Sequence, residues 1–388
     1  MTTPFATRSL SRRSLLAGAA AGAVPLAWPG AVLGQAAAGS MRICQSIALT
    51  GPLGDLGQAM HQGAKICFAG VNAKGGINGR TIELVTRDDA YEVPKALANV
   101  QAFLADKDCF ALFNCMGTPM IGAMLPKVLD SGMPFFAPFT GALLARPKNV
   151  RTIFNIRASY AEEAEQLVQH LATIGIKRIG IAYQNNAFGK EVFDGARAAL
   201  EKHKLAGLLS ATVENDGSDA QVAAAKLAAA SPEAVLVGLA GKPTLDFVKA
   251  MRVQRRGVPL YATSVMGAAA TLRALGDDAT GIAISQVVPS PGNTVVPVVR
   301  EFQQAWKAAG AELEASHLAL EGYINARVFC EALRAAGRNP TRSSFMDAAW
   351  NLKRLELGGF EVSFSEPGRN ASRFIELTMV GRDGRFIR

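Results

Sequence analysis

The chain has 388 residues, of which 49% are hydrophobic and 19% charged, and its formal net charge is +9. This composition excludes an intrinsically disordered chain, and the length exceeds what one ordinary core accommodates, so we expect a globular protein with two domains. The basic residues are scattered and form no block of about five or six, which indicates a solvated basic surface and no nucleic-acid site.

The first 36 residues have the pattern of an export signal. Arg12 and Arg13 precede an apolar segment, and small residues follow at Gly34 and Ala36, as a signal peptidase requires. The run SRRSLL resembles a twin-arginine translocation signal, and the alternatives are a general secretory signal or an N-terminal anchor. No cysteine ends the leader, and no later apolar run reaches the ~18 residues of a membrane span. We therefore expect a free periplasmic protein whose signal is cleaved and which lacks a lipid anchor.

After the leader, short β-rich runs alternate with helical windows. Strands are predicted at 42–49, 81–88, 109–115, 134–138, 152–156, 178–183, 208–214, 234–239, 259–263 and 281–288. Helices are predicted at about 58–74, 93–106, 119–130, 161–173, 189–202, 219–230, 244–256, 297–309, 314–336 and 342–351. The end of the chain returns to β character at 359–365 and 373–380, which predicts a hairpin.

Strand and helix alternation at this spacing predicts βαβ units and parallel sheets, and hence an α/β protein with two doubly wound lobes. The late helices indicate that the chain returns to complete the first lobe. We assign residues 41–157 and about 289–352 to lobe 1, and residues 158–288 and about 353–388 to lobe 2. Ligands of such sheets bind beyond the carboxyl ends of the strands.

Patterns typical of enzymes are weak in this chain. The four histidines lack metal-ligand spacing, and neither a nucleophile elbow nor a phosphate loop occurs. The loop GPLGDLG (51–57) lacks the glycine order of a dinucleotide site, and five cysteines form no CxxC pair. Asp88 and Asp89 could act as acid and base, but their place between a strand and a helix favours capping. We expect no enzyme, no cofactor and no metal.

Three loops that follow predicted strands carry hydroxyl or acidic groups. Thr118 opens a helix after one strand, Thr140 follows the next, and Tyr160 and Glu162 follow a third. A helix N-terminus with a hydroxyl binds a carboxylate without a full positive charge, and Glu162 could pair with an ammonium group. N-capping explains each residue taken alone. Their joint placement after three strands favours a binding site.

The sequence resembles the leucine/isoleucine/valine-binding proteins, the type 1 periplasmic solute receptors of ABC importers. Three segments carry the resemblance: SIALTGPLGDLGQAMHQGAKICFAGVNAKGGINGRTIELVTRDDA (46–90), LPKVLDSGMPFFAPFTGA (125–142) and RIGIAYQNNAFGKEVFDGAR (178–197). The resemblance covers nearly all of the chain after the leader. It implies two Rossmann-like lobes, joined by three crossings and a hinge, that close over a ligand in the cleft between them.

The resemblance also implies ligand-binding positions. The hydroxyl that grips a ligand carboxylate falls on Thr118, and the loop of backbone contacts falls on Thr140 and Ala142. The acidic residue at the start of the second lobe falls on Glu162, beside Tyr160. The remaining implied cleft positions are Leu56 for an apolar wall, Phe188 for an aromatic, and Ala240 and Val265 after two strands of the second lobe.

Two of these positions depart from the family pattern. Amino-acid binders carry a glutamate where this chain has Ser264, Val265 and Met266, and often an aromatic where it has Ala240 and Gly241. An amino acid remains the default ligand, and an organic or aromatic acid without an amino group competes with it. The expected partners are that ligand and an inner-membrane ABC permease with its ATPase, and the protein is expected to be a monomer. A sensory protein that acts on a membrane receptor is the alternative function.

Overall fold

The computed structural model describes residues 38–205, 209–266, 269–382 and 384–387. The predicted export signal, residues 1–36, lies outside the described residues. Across the described ranges, no helix combines the length and the hydropathy that crossing a membrane requires.

The first sheet has five parallel strands in the order β2-β1-β3-β4-β5. They are β1 (Ala38–Ile47), β2 (Arg80–Asp88), β3 (Cys109–Phe113), β4 (Phe135–Phe136) and β5 (Ile153–Phe154). Strand β1 pairs with β2 on one side and β3 on the other, so the order reverses at β1. Strands β3 to β5 are continuous apolar runs because both faces of the sheet are covered.

The second sheet has seven strands in the order β14-β13-β10-β9-β8-β6-β7. They are β6 (Ile179–Gln184), β7 (Leu209–Val213), β8 (Ala234–Gly238), β9 (Leu260–Ala262), β10 (Ala283–Gln286), β13 (Glu376–Val380) and β14 (Phe386–Ile387). Strands β6 to β10 are parallel, whereas β13 and β14 add antiparallel edges. A separate hairpin joins β11 (Leu355–Glu356) to β12 (Glu361–Val362).

Eleven α-helices are present in the described ranges. Those that pack with the first sheet are α1 (Gly54–Ala73), α2 (Val93–Ala105), α3 (Thr118–Ser131), α9 (Pro297–Ala308), α10 (His317–Ala335) and α11 (Arg342–Trp350). Those that pack with the second sheet are α4 (Tyr160–Thr173), α5 (Ala187–Lys202), α6 (Ala220–Ala229), α7 (Lys242–Gln254) and α8 (Ala269–Leu275). We call each sheet with its helices the first lobe and the second lobe.

The chain passes between the lobes three times. The first crossing follows β5 and the second follows β10. The third comes later than predicted, because Phe360, Val362 and Phe364 pack into the phenylalanine-rich core of the first lobe. The predicted boundary at residue 353 is therefore wrong for about 20 residues, and the chain reaches the second sheet only at β13. The segment 359–365 alternates apolar and polar residues as any half-buried strand does, so its sequence does not indicate which core it joins.

The predicted alternation of strands and helices is confirmed, and most predicted ends lie within a few residues of the observed ones. The predicted C-terminal hairpin is wrong. Strand β12 pairs with β11, while β13 pairs with β10 and β14. Short helix α8 was also missed, because a seven-residue helix offers too little periodicity to detect.

Candidate functional site

A small cavity lies between the lobes, beyond the carboxyl ends of strands from both sheets. Its volume is about 20 Å³, which is room for about one water molecule. The lining residues are Leu53, Leu56, Tyr91, Met116, Gly117, Thr118, Phe139, Tyr160, Phe188, Ala240 and Val265. They follow β1, β2, β3, β4, β5, β6, β8 and β9 in turn, so both places where strand order reverses face this cavity. We call it the cleft cavity.

Most of the predicted binding positions meet at this cavity. The six that line it are Leu56, Thr118, Tyr160, Phe188, Ala240 and Val265. Thr140 and Ala142 lie directly behind it, where Thr140 contacts Thr118 and Ala142 contacts Thr140. Glu162 does not line it. The geometry therefore brings eight of the nine positions to one place, through loops that are distant in sequence.

Thr118 and Thr140 form a buried hydroxyl pair with their Oγ1 atoms 2.7 Å apart. The backbone N–H of Ala142 donates to Thr140 Oγ1 at 3.1 Å. When Thr140 donates its hydroxyl hydrogen to Thr118, the Thr118 hydroxyl hydrogen is left free for an acceptor in the cavity. Thr118 is the first residue of α3, so the helix N-terminus adds to the attraction for an anionic group.

The backbone at the ends of β3 and β4 adopts a conformation that non-glycine residues rarely occupy. Asn114 has φ 49° and Ala137 has φ 50°. Each such residue costs about 1 kcal/mol or more, and the cost persists only where the surroundings hold it. The amide of Asn325 on α10 donates to Asn114 Oδ1 at 2.9 Å, which helps to hold the first of these turns. The turns direct the next residues of each loop to the cleft cavity.

Direct contacts between the lobes close the rim of the cavity. The N–H of Lys242 donates to the carbonyl of Pro52 at 3.2 Å, and Thr271 donates to the carboxylate of Asp55 at 3.1 Å. Gly241, at φ 61°, makes the first contact possible, because a Cβ there would lie 2.2 Å from the Pro52 oxygen. The loop GPLGDLG thus forms part of the rim of the cleft, and Leu53 and Leu56 within it line the cavity.

A buried charged cluster lies behind the aromatic wall of the cavity. The guanidinium of Arg157 lies 5.3 Å from the ring centre of Phe139 and 5.6 Å from that of Tyr160. It forms ion pairs with Glu163 at 3.3 Å and Glu321 at 3.6 Å. All three charged side chains are at most 4% exposed. We call Arg157, Glu163 and Glu321 the crossing cluster, since Arg157 lies on the first crossing.

Glu163 has no free oxygen for a ligand. Ser264 donates to it twice, from its N–H at 2.7 Å and its hydroxyl at 3.1 Å, and Ser285 donates at 2.7 Å. Together with Arg157, these donors occupy both carboxylate oxygens. Ser264 stands next to the position where the family pattern has a glutamate, so this part of the site is built for internal pairing.

Burial shifts the pKa values in the crossing cluster. Burial alone lowers the pKa of Arg157, but Glu321, Tyr160 and Glu163 outweigh it, so the pKa of Arg157 is raised and the guanidinium stays charged. Burial raises the pKa of Glu321, and the nearby Glu163 adds to that effect while Arg157 opposes it. Burial thus works against the charge on Glu321, whereas the neighbouring carboxylates favour the charge on Arg157.

Glu162 takes part in a capping box at the start of α4. Its carboxylate accepts from the N–H of Ser159 at 2.8 Å, and the Ser159 hydroxyl accepts from the N–H of Glu162 at 3.2 Å. The side chain faces a different cavity, described below. The contacts of Glu162 are therefore those of a helix cap, which is one of the two roles that the sequence left open.

Five lining residues were not predicted: Leu53, Tyr91, Met116, Gly117 and Phe139. Three of them belong to the same loops as Thr118 and Thr140, namely Met116, Gly117 and Phe139. The prediction selected hydroxyl and acidic side chains in these loops and therefore omitted their other residues. Arg157 was also missed, although the segment RASYAEE contains it. An arginine directly after an apolar strand, followed by two glutamates, was the available signal for a buried ion pair.

The adjacent carboxylates Asp88 and Asp89 take part in structural hydrogen bonds. No cluster of three His, Cys, Asp or Glu side chains suits a metal within the described ranges. Asp88 accepts from the N–H groups of Leu49 and Ala90, and Asp89 accepts from Ser46 at 2.7 Å. Burial raises the pKa of Asp89 to about 6. Asp88 thus holds the loop after β1, and Asp89 connects β1 to the loop after β2.

Comparison with known proteins identifies a matching family model, related sequences and similar solved structures. A family model described as periplasmic binding protein matches residues 40–385. The chain is similar to Leu/Ile/Val-binding protein homolog 3 of Brucella melitensis, with 21% identity over 82% of this chain and 86% of the relative. Two solved structures are more similar. A substrate-binding periplasmic protein from Ralstonia solanacearum is 34% identical with a TM-score of 0.84, covering 90% of this chain and 99% of that one. A possible leucine/isoleucine/valine-binding protein from Rhodopirellula baltica is 30% identical with a TM-score of 0.86, covering 91% and 97%.

Proposed function

Because the chain belongs to the periplasmic binding protein family, we propose that it is the periplasmic, non-catalytic solute-binding component of an ABC importer. The observation that carries this proposal is the cleft cavity, which is lined by loops from both lobes and closed by contacts between them. A solute would enter when the lobes part and would be enclosed when they close. The partner is then an inner-membrane permease with its ATPase.

The chemistry of the lining favours a solute with one carboxylate and an apolar body. Nine of the eleven lining residues are apolar or aromatic, and Thr118 offers a hydroxyl at a helix N-terminus. No carboxylate lines the cavity among the described residues, and Glu163 is fully paired with Arg157 and serines. A buried ammonium group without a partner is costly, so an organic or aromatic acid fits better than an α-amino acid.

A sensory protein of the same fold is the second candidate. The same cavity would serve it, and the two functions differ in the protein that reads the closed form. Solute uptake can be measured in vesicles that contain the permease. An importer component should bind the permease and support uptake, whereas a sensor should not.

The solute class can be tested with matched pairs of acids. Leucine with 4-methylpentanoate, and phenylalanine with 3-phenylpropanoate, differ only by the amino group. We expect the acids without the amino group to raise the melting temperature of the purified protein more, because tight ligands stabilise the folded state. A larger shift with the amino acids would refute the proposed class while leaving the solute-binding function intact.

Thr118→Val tests the proposed carboxylate grip. Loss of the hydroxyl should weaken binding of an acid that the screen identifies by about 1 to 3 kcal/mol, since it leaves the bound carboxylate unpaired. Thr244→Val is a matched control, because Thr244 is buried, lies outside the cavity lining and has no hydrogen bond from its Oγ1. Equal calorimetric affinities for both variants would contradict the assignment.

A further inference from the structure

A second cavity, of about 880 Å³, lies where the third crossing meets the start of α4. Leu143 and Arg146 contribute to it from the loop after β4, and Ser159 and Glu162 contribute from the N-terminus of α4. The rest of the lining comes from residues 359–374. We call it the crossing cavity. None of its lining residues takes part in the cleft cavity.

Arg146 is the unusual residue of this cavity. Its side chain is buried, and its guanidinium donates to three backbone carbonyls, those of Thr140, Ala142 and Arg157. Its Nε has no hydrogen-bond acceptor, and it forms no ion pair with any residue in the described ranges. The carboxylates of Glu162 and Glu191 also favour its charge, but without a direct ion pair the buried cation is incompletely compensated. Burial, with a contribution from Arg157, lowers the pKa of Arg146 to about 10.

The other charges around the cavity leave a positive balance. Arg369 is paired with Glu366, and Glu361 with Arg354. The remaining lining charges are Arg146, the exposed Arg373 and one opposing carboxylate, that of Glu162. Serine hydroxyls such as that of Ser365 supply further donors, whereas the amide of Asn370 already donates to Ser372 and Glu162. The cavity therefore combines a buried, incompletely compensated cation with a polar lining.

We propose that the crossing cavity is a second ligand site, which binds a small oxyanion, either a carboxylate or a phosphate, beside Arg146 and Arg373. This site is additional to the proposed solute cleft. A bound oxyanion supplies the negative charge that Arg146 lacks, and charge-assisted hydrogen bonds to arginine are among the stronger ones. Its ligand would contact segments of both lobes.

The position of the site connects it to the solute cleft. The N–H groups of Ala371 and Ser372 donate to the carbonyls of Asn155 and Ile156, at 2.8 and 2.9 Å, so the first and third crossings run side by side. Arg146 Nη1 donates to the carbonyls of Thr140 and Ala142 at 3.3 and 2.8 Å. A bound anion would thus contact Arg146, which in turn holds the carbonyl of Thr140, the residue that supports Thr118.

Calorimetric titration tests the proposal. Inorganic phosphate and malonate are titrated separately into the mature protein, at ionic strength held constant with sodium chloride, because the chain carries a net positive charge. We expect saturable binding of at least one probe at one site per chain. Arg373→Glu should weaken it by about fivefold or more, and Glu162→Gln should tighten it by about threefold, since the two changes alter the local charge in opposite directions. Glutamine preserves the capping box, so α4 should stay intact.

Two controls locate the anion. Arg256→Glu makes the same charge change at an exposed position outside the cavity and should leave the affinity unchanged. Thr118→Val should also leave it unchanged, whereas a loss there would place the anion in the solute cleft and overturn the proposal. Absence of saturable binding, or an equal effect of the two arginine variants, would overturn it as well. None of these results depends on which solute the cleft binds.

Discussion

The cleft cavity and the crossing cluster lie on opposite sides of two aromatic rings, and they differ in charge. The cavity is lined mainly by apolar and aromatic side chains, and its hydroxyl-bearing residues are Thr118, Tyr91 and Tyr160. The cluster contains a buried arginine and two buried glutamates. Charged side chains close to a ligand site therefore need not bind the ligand. In this chain the charges connect the first crossing to α4 and α10, while the cavity stays neutral.

Arg157→Gln should have the largest effect. It leaves Glu163 and Glu321 buried without their cation, and removal of one partner from a buried ion pair costs about 3 to 5 kcal/mol. Urea unfolding of the mature protein measures the loss. The exposed pair of Arg178 with Glu233 provides a control, since Arg178→Gln should cost less than about 1 kcal/mol. Similar losses for the two variants would mean that the cluster contributes no more than a surface pair.

The region of the cluster should also determine how stability depends on pH. His317 begins α10, one turn before Glu321, and burial lowers its pKa to about 3. The unfolded chain takes up this proton as the pH falls below about 6.5, whereas the folded chain does so only near 3. Stability is therefore lost progressively as the pH falls between these values, by about 3 kcal/mol at pH 4.

His317→Gln should remove that loss and flatten the acid side of the stability curve. The measurement is the free energy of unfolding between pH 7 and pH 4. Asp89→Asn should change the slope in the opposite sense, because burial raises the pKa of Asp89 to about 6 and the folded chain gains its proton first. Parallel curves for His317→Gln and the unmodified protein would contradict the assignment.

Closure of the cleft can be impaired without changing any residue that lines the cavity. Gly241→Ala places a Cβ against the Pro52 oxygen, so it should weaken solute affinity by about 2 kcal/mol while the lobes remain folded. Gly281→Ala is a matched control, because Gly281 also has positive φ, at 78°, but a Cβ there meets no atom within 4 Å. If both variants bind the solute equally, the contact between Gly241 and Pro52 does not matter for closure.

Glu162→Gln should have the smallest effect on the solute. The side chain is exposed and lies outside the cleft cavity, so we expect affinity to change by less than about 0.5 kcal/mol. The same titration with an amino acid and its matched acid checks this. A selective loss of the amino acid would restore Glu162 as the ammonium partner that the family resemblance implies.

Local patterns in the sequence determined the elements and the class of fold. Apolar strands alternate with amphipathic helices, and this periodicity is a property of neighbouring residues, so the two parallel sheets and the loops after their strands were predictable. The resemblance then pointed to Thr118, Phe188 and Val265, which all line the cleft cavity. Hydroxyl and apolar residues in these loops reach the site because the carboxyl ends of parallel strands share one edge of a sheet.

Tertiary structure alone decided which carboxylates and arginines are paired. Glu162 and Glu163 are adjacent in sequence, yet one caps a helix at the surface and the other is buried against Arg157, Ser264 and Ser285. The partners of Glu163 lie about 100 residues away or more, apart from Arg157, so no local pattern could identify them. The same holds for residues 355–371, which join the first lobe because their phenylalanines fill a core built from distant segments. Packing and ion pairing over long sequence separations depend on the assembled fold, and for that reason only the structure could assign them.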